Sequence, residues 1–263
     1  MTAAVLAAIV WDVDGTLAET ERDGHRVAFN GAFEAFGLPW RWDERHYGEL
    51  LRVAGGRERL LADMAAHADA PARAGERERL AAALHARKNA IYAERLRSEG
   101  IALRCGVAAL IEQARERGLR QAIATTTSRT NLDALLRLHY GAHWHRRFDA
   151  IVCGEDVQRK KPDPEAHLQC LRLLSLEATP SRAVAIEDSP IGVAAAHAAG
   201  MPVVLARSHY FADASGEHAA AAGPGLDMRR GWRPALRRGG DGDHAVGLDD
   251  IEAWCAAAAR PRR

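Results

Sequence analysis

The sequence predicts an α/β fold, a parallel sheet interrupted after its first strand by a run of helices. Three observations predict it. An apolar stretch from Val5 to Trp11, rich in Val and Ile, stops abruptly at Asp12. Strand-like runs then vanish, and residues 19–97 become Ala-, Leu-, Arg- and Glu-rich helical sequence. From about residue 101, short apolar runs alternate with helical stretches, as parallel strands alternate with crossover helices. The expected organisation is one α/β unit, residues 1–18 and 98–263, with a helical unit, 19–97, inserted into it.

Each element has its own reason. The first strand is a short, continuous apolar run, as expected of a strand covered on both faces. In the insert, Phe29, Phe33 and Phe36 fall at helical spacing, and Gly37-Leu38-Pro39 ends that helix. Stretches near 43–53, 57–69 and 76–97 read as further helices, separated by breaks at Gly55-Gly56 and Ala70-Pro71. Val107–Arg117 is a helix closed by Gly118, and Gln121–Thr126 a strand. Thr130–Tyr140 is a helix, Ala150–Cys153 a short strand, and Pro164–Leu174 a helix with proline in its first turn. Ala183–Ile186 is a strand, Pro190–Ala199 an Ala-rich helix ended by Gly200, and Pro202–Leu205 a strand. Residues 214–247, rich in Ala, Gly, Pro and Arg, read as a solvated loop. An anion-binding patch at Arg229-Arg230, Arg233 and Arg237-Arg238 is the sharper alternative, but aromatic interleaving is limited to Trp232. Leu248–Ala258 is a closing helix.

The bulk properties exclude several classes. A chain of 263 residues with 48% hydrophobic and 27% charged residues can build a sizeable core. A net charge of +1 gives no global attraction to nucleic acid or anionic membrane. Cys105, Cys153, Cys170 and Cys255 are widely spaced, without a CxxC pair, so free thiols and a reducing, cytoplasmic setting are expected. The N-terminus is apolar but lacks a basic start, and no run reaches membrane-spanning length.

Four polar clusters fall near predicted strand ends or helix starts, and ligands of parallel sheets bind at the C-terminal ends of the strands. Asp12-Val13-Asp14-Gly15-Thr16 follows the first strand. Two carboxylates so close are costly unless a cation offsets them, and Mg²⁺ would serve. Thr125-Thr126-Thr127-Ser128 can donate hydrogen bonds to phosphate oxygens, or can simply cap the next helix. Lys160-Lys161 offers an ammonium to an anion, although adjacent lysines are commonly just solvated. Glu187-Asp188-Ser189 places acids after another apolar strand, where a metal, or an N-cap, would use them.

In order and spacing these clusters resemble the four motifs of haloacid-dehalogenase-type (HAD) phosphohydrolases. Glu19-Thr20, His25-Arg26, Ala28-Phe29-Asn30, Gly55-Gly56-Arg57, Lys160-Lys161-Pro162 and Glu187-Asp188-Ser189 resemble the CbbY branch, sugar-bisphosphate phosphatases associated with the Calvin cycle and kin of β-phosphoglucomutase. The resemblance covers residues 5–213 well and the remainder poorly. Cys105, where the family usually has proline, and the Gly/Arg-rich 222–243 stretch depart from it.

The resemblance implies a Rossmann-like HAD core with strand order 3-2-1-4-5 and an α-helical cap that closes over substrate. It implies Asp12 as nucleophile, forming an aspartyl-phosphate, and Asp14 as acid and base toward the leaving oxygen and water. Thr125 and Lys161 would hold the transferring oxygens. Mg²⁺ would be held by Asp12, the Asp14 main-chain carbonyl and Asp188, with Glu187 close by. Thr16 would steer Asp14 or the turn. Glu19, His25, Tyr47, Gly56, Arg57, Thr126, Arg129 and Asn131 are the expected substrate-binding residues, and Arg57 could equally be a helix-surface charge paired with a glutamate. The implied activity is a Mg²⁺-dependent phosphatase acting on a sugar bisphosphate, xylulose 1,5-bisphosphate first. A phosphomutase, or a phosphatase for another sugar phosphate, is the alternative. A catalytically silent phospho-ligand module would have lost a motif, and none is lost. The expected partner is a small-molecule sugar phosphate, with neither membrane nor nucleic acid, and the expected state is a monomer.

Overall fold

The computed structural model of the protein describes residues 6–235 and 244–259. Met1–Val5, Arg237-Arg238 and residues 260–263 lie outside the described residues. Strand β1 (Ala8–Trp11) is buried at every position. It lies between β2 (Arg120–Ala124) and β4 (Ala183–Glu187), parallel to both, with Ile9 opposite Gln121 on one side and Val184 on the other. With β3 (Ala150–Val152), β5 (Val203–Ala206) and β6 (Ala221–Gly223) it forms a six-stranded parallel sheet of order β3-β2-β1-β4-β5-β6. The expected order 3-2-1-4-5 is present, with one further strand at the β5 edge.

Alternation along β1 explains the layers. Ile9 and Trp11 point into one apolar layer, with α5 (Val107–Glu116), α6 (Arg129–Tyr140) and α9 (Leu248–Ala258). Ala8 and Val10 point into the other, against α7 (Glu165–Leu173) and α8 (Pro190–Ala198). The indole of Trp11 donates to the Gln121 side chain at 3.1 Å, and that amide donates to the Ile111 carbonyl at 3.0 Å. The one large polar side chain beside β1 in this layer is thereby satisfied.

Between β1 and β2 the chain is helical from Glu21 to Ser98. It comprises a π-helical turn (Glu21–His25), α1 (Arg26–Ala35), α2 (Glu44–Leu50), α3 (Gly56–Met64) and α4 (Ala74–Ser98). These helices own a separate aromatic cluster that includes Phe29, Phe33, Trp40, Trp42, Tyr47 and Leu84. Phe36 is not part of it; it follows the end of α1 and is exposed.

Residues 214–235 and 244–247 differ from the solvated loop that their composition suggests. They contribute β6, and Trp232 is buried, stacked on Trp254 of α9 at 4.6 Å. Arg229 pairs with Asp250 at 2.8 Å rather than standing free for an anion. The composition misleads because one tryptophan and a short Ala-Ala-Gly strand carry the packing. No helix among the described residues is long and apolar enough to cross a membrane.

Candidate active site

The site begins where β1 ends. The Asp12 amide still donates to the Ile186 carbonyl of β4 at 3.0 Å, so its backbone is fixed by the sheet. Beyond it the chain turns tightly, with the Leu17 amide on the Val13 carbonyl at 2.8 Å and Gly15 at φ +89°. Only glycine fits there: a Cβ would lie 2.1 Å from Asp188 Oδ2. The turn directs the two aspartates apart.

Asp12 faces the β4 end. Its Oδ1 accepts from Lys161 Nζ at 2.6 Å and its Oδ2 from Thr16 Oγ1 at 2.9 Å. Thr16 therefore steers Asp12, not Asp14. Lys161 also donates to Glu187 Oε1 at 2.8 Å, an oxygen that His167 Nε2 meets at 3.1 Å. Asp188 Oδ2 accepts from Ser208 Oγ at 2.5 Å. Asp12, Glu187 and Asp188 are all buried, and each offers an oxygen within 4.8 Å of the others.

Three buried carboxylates thus share one ammonium. Burial pushes Asp12 up to about 7, opposed by Lys161 and reinforced by Glu187. Burial, then Asp12, push Asp188 well above the usual range. Burial works against the Lys161 charge, but Asp12 and Glu187 outweigh it and hold its value up. Glu187 Oε2 is buried without a hydrogen-bond partner. Surplus negative charge, an orphaned oxygen and an all-oxygen donor set fit a hard divalent cation such as Mg²⁺.

Asp14 faces the helices. Its Oδ1 accepts from Thr20 Oγ1 at 2.6 Å and meets His25 Nε2 at 2.9 Å. Burial opposes its ionisation, but the His25 imidazole and the Thr20 hydroxyl outweigh burial and hold the carboxyl well below the usual range. Asp14 also lines a cavity of about 400 Å³ between the helices and the sheet ends.

Of the expected substrate-binding residues, His25, Gly56, Arg57, Thr126 and Asn131 line this cavity. Arg57 also pairs with Glu78 of α4, the surface pairing that its sequence allowed. Three others are not among the lining residues. Tyr47 is buried in the aromatic cluster and donates to Glu21. Glu19 accepts from the His209 amide at 3.3 Å, and Arg129 pairs with Asp156 at 2.6 Å. Thr125 is buried at the end of β2, its hydroxyl accepting from the Thr127 amide at 3.1 Å. Ser128, not a threonine, caps α6. The Asp14 side chain stands outside the acidic group of Asp12, Glu187 and Asp188.

Sequence reasoning missed Arg59, Lys88 and Ser208. Lys88 lies on the buried stripe Leu84, Lys88, Tyr92, Leu96, so its four-residue spacing was the signal. Its ammonium stands 5.0 Å from the Phe29 ring centre, and burial lowers it to about 8. Arg59 donates to the Tyr47 hydroxyl at 2.9 Å and also lines the cavity. Ser208 follows an apolar strand, as Asp12, Thr125 and Asp188 do.

Comparison with known proteins agrees with this geometry. Residues 6–200 match the family model described as haloacid dehalogenase-like hydrolase. The chain is 46% identical over 221 residues to the plasmid-encoded protein CbbY of Cupriavidus necator, covering 84% of this chain and 86% of that one. CbbY of Rhodobacter sphaeroides, solved with phosphate, superposes with a TM-score of 0.72 at 40% identity, covering 80% of this chain and 92% of that one. A mutant of that protein, solved with xylulose 1,5-bisphosphate, gives 0.72 at 39% identity over the same shares. The β-phosphoglucomutase of Clostridium difficile, at 17% identity and a TM-score of 0.69 over 97% of this chain and 99% of that one, shares the fold. With the family model spanning most of the chain and the acidic cluster at the strand ends, this protein belongs to the haloacid dehalogenase-like hydrolases, as a CbbY-like phosphatase.

Proposed function

We propose that this chain is a Mg²⁺-dependent phosphatase of sugar bisphosphates, with xylulose 1,5-bisphosphate as the first candidate. One observation carries the reading. Asp12, fixed at the end of the central strand, sits with Lys161 and two further acids, while Asp14 and His25 line a cavity beside it whose far wall carries Arg57, Arg59 and Lys88. The solved relative bound to xylulose 1,5-bisphosphate supports the choice of substrate.

An Asp12 oxygen attacks phosphorus, and the bond from phosphorus to the sugar oxygen breaks. Asp14 passes a proton to the departing oxygen and is left as a carboxylate, which His25, at 2.9 Å, orients. Asp14 then takes a proton from water, whose oxygen attacks the phosphorus of the aspartyl-phosphate and frees Asp12. Lys161 and the Thr125 hydroxyl hold the phosphoryl oxygens as charge develops. Asp12, Asp188, Glu187 and the Asp14 carbonyl would hold Mg²⁺. When bound, it offsets the repulsion between carboxylate and phosphate.

The helices of residues 19–97 act as a cap domain on a core of residues 1–18 and 98–263. Arg57, Arg59 and Lys88 give the cap side of the cavity its cations. A second phosphate would meet them, with the Arg57 guanidinium suited to two parallel hydrogen bonds. The test is phosphate release from a panel of sugar mono- and bisphosphates with Mg²⁺, for the protein and its Asp12→Asn variant. Release that is abolished by EDTA and by Asp12→Asn is expected. Conversion of a sugar phosphate to its isomer without phosphate release would make the protein a mutase. Turnover by Asp12→Asn near that of the unaltered protein would end the aspartyl-phosphate proposal.

A further inference from the structure

Arg104 lies just before α5 and is not among the motif residues. Its guanidinium donates to four main-chain carbonyls: Gly15, Ala206 at 2.9 Å, Arg207 at 2.6 Å and Pro224 at 3.3 Å. Its Nε lies 3.5 Å from Glu19 Oε1. Its own amide donates to the Leu17 carbonyl at 2.8 Å. This planar fork therefore gathers the turn after β1, the exit of β5 and the loop after β6.

Two of those contacts lead to one carboxylate. Gly15 packs so closely on Asp188 that a Cβ there would meet Oδ2 at 2.1 Å. Ala206 and Arg207 immediately precede Ser208, whose hydroxyl holds the same Oδ2 at 2.5 Å. Asp188 is thus gripped from two chain segments, and one guanidinium fastens both. A lysine cannot replace it, because a single tetrahedral ammonium cannot serve carbonyls spread over so wide an arc.

We propose that Arg104 is a positioning residue for Asp188. Through the Gly15 carbonyl and the 206–208 segment it sets the orientation of the Asp188 carboxylate toward Asp12. The inference rests on the reading of Asp188 as a Mg²⁺ ligand, and it adds the group that aims that ligand. Outer groups that orient a ligand commonly change metal affinity by about 10- to 100-fold when removed.

The test measures Mg²⁺ binding directly, by calorimetric titration without substrate, for the unaltered chain, Arg104→Lys, Ser208→Ala and the double variant. Arg104→Lys and Ser208→Ala are each expected to weaken Mg²⁺ binding about tenfold. The double variant should be little worse than either alone, because both act on one carboxylate. A residue that only supported the fold would lower the melting temperature and leave the Mg²⁺ affinity of the folded fraction unchanged. Unchanged affinity in Arg104→Lys, or losses that simply multiply in the double variant, would overturn the proposal. If Arg104→Lys does not fold, Ser208→Ala decides, since it removes only a hydroxyl: unchanged affinity there overturns the proposal equally. Failure of the unaltered chain to bind Mg²⁺ would instead remove the metal reading on which the proposal stands.

Discussion

Mg²⁺ should stabilise this protein in a strongly pH-dependent way, and the acidic cluster gives the size of the effect. Burial holds Asp12 at about 7 in the folded chain, against an ordinary value of 3.8. The folded state therefore keeps this proton after the unfolded chain has released it. As pH rises from about 4 to 7 the group removes stability, and above 7 the loss is complete. That loss of stability amounts to about 4 kcal/mol. Asp188 adds to it in the same direction. Mg²⁺ competes with the proton on Asp12, so its affinity should rise about tenfold per pH unit until Asp12 is ionised. At pH 8, Mg²⁺ at 100 times its dissociation constant should contribute about 2.7 kcal/mol. For a chain of this size that raises the melting temperature by roughly 5–10 °C. At pH 5 the same Mg²⁺ concentration should give only about 1 °C. The assay is thermal unfolding followed by tryptophan fluorescence, with and without Mg²⁺, at pH 5, 6, 7 and 8. Equal shifts at pH 5 and pH 8, or no shift at either, would refute the reasoning.

The other predictions concern single residues. Lys161→Met leaves Asp12 and Glu187 buried without their ammonium; it should cost about 3–5 kcal/mol in denaturant unfolding and remove phosphate release. Gly192→Ala would put a methyl 1.9 Å from Glu187 Oε2, so it should destabilise by about 1–3 kcal/mol, read as a lower urea midpoint. Arg57→Ala should lower kcat/KM for a sugar bisphosphate by roughly two orders of magnitude while hardly changing p-nitrophenyl phosphate hydrolysis. Equal losses on both substrates would move Arg57 from substrate binding to support of the fold.

The chemistry was legible because it sits where apolar runs end. Asp12, Thr125 and Asp188 are each the first or second polar residue after a buried strand, and a parallel sheet brings those ends together. Lys161 was legible only through motif order, since Lys160 beside it has the same chemistry. The structure separates them: Lys161 is buried against Asp12, and Lys160 reaches Glu58 of α3 at 2.5 Å. The cavity walls were harder to read. A helix surface rich in arginine gives no local sign of which guanidinium is buried: both Arg57 and Arg59 reach the cavity, but only Arg59 is buried, half a turn from a half-exposed Arg57. Tyr47 resembles a ligand contact in sequence, but aromatic packing holds it inside the helical unit. β6 escaped notice because three small residues carry no apolar periodicity.

The helical stretch leaves the sheet and returns to it at one place. Ala18 and Leu103 pair as an antiparallel bridge, directly beside the turn that carries Asp12 and Asp14. The chain between them leaves and returns by this stem and also meets the rest of the chain where Lys160 pairs with Glu58 and Asn131 with Asn89, while the flanking strands β1 and β2 are hydrogen-bonded neighbours. Rewriting the helices beyond His25 therefore demands no new register in the sheet and leaves in place Thr20 and His25, which hold Asp14. Most of the helical stretch can thus be exchanged as one piece, so selection can alter one wall of the cavity while the acidic cluster at the strand ends stays as it was.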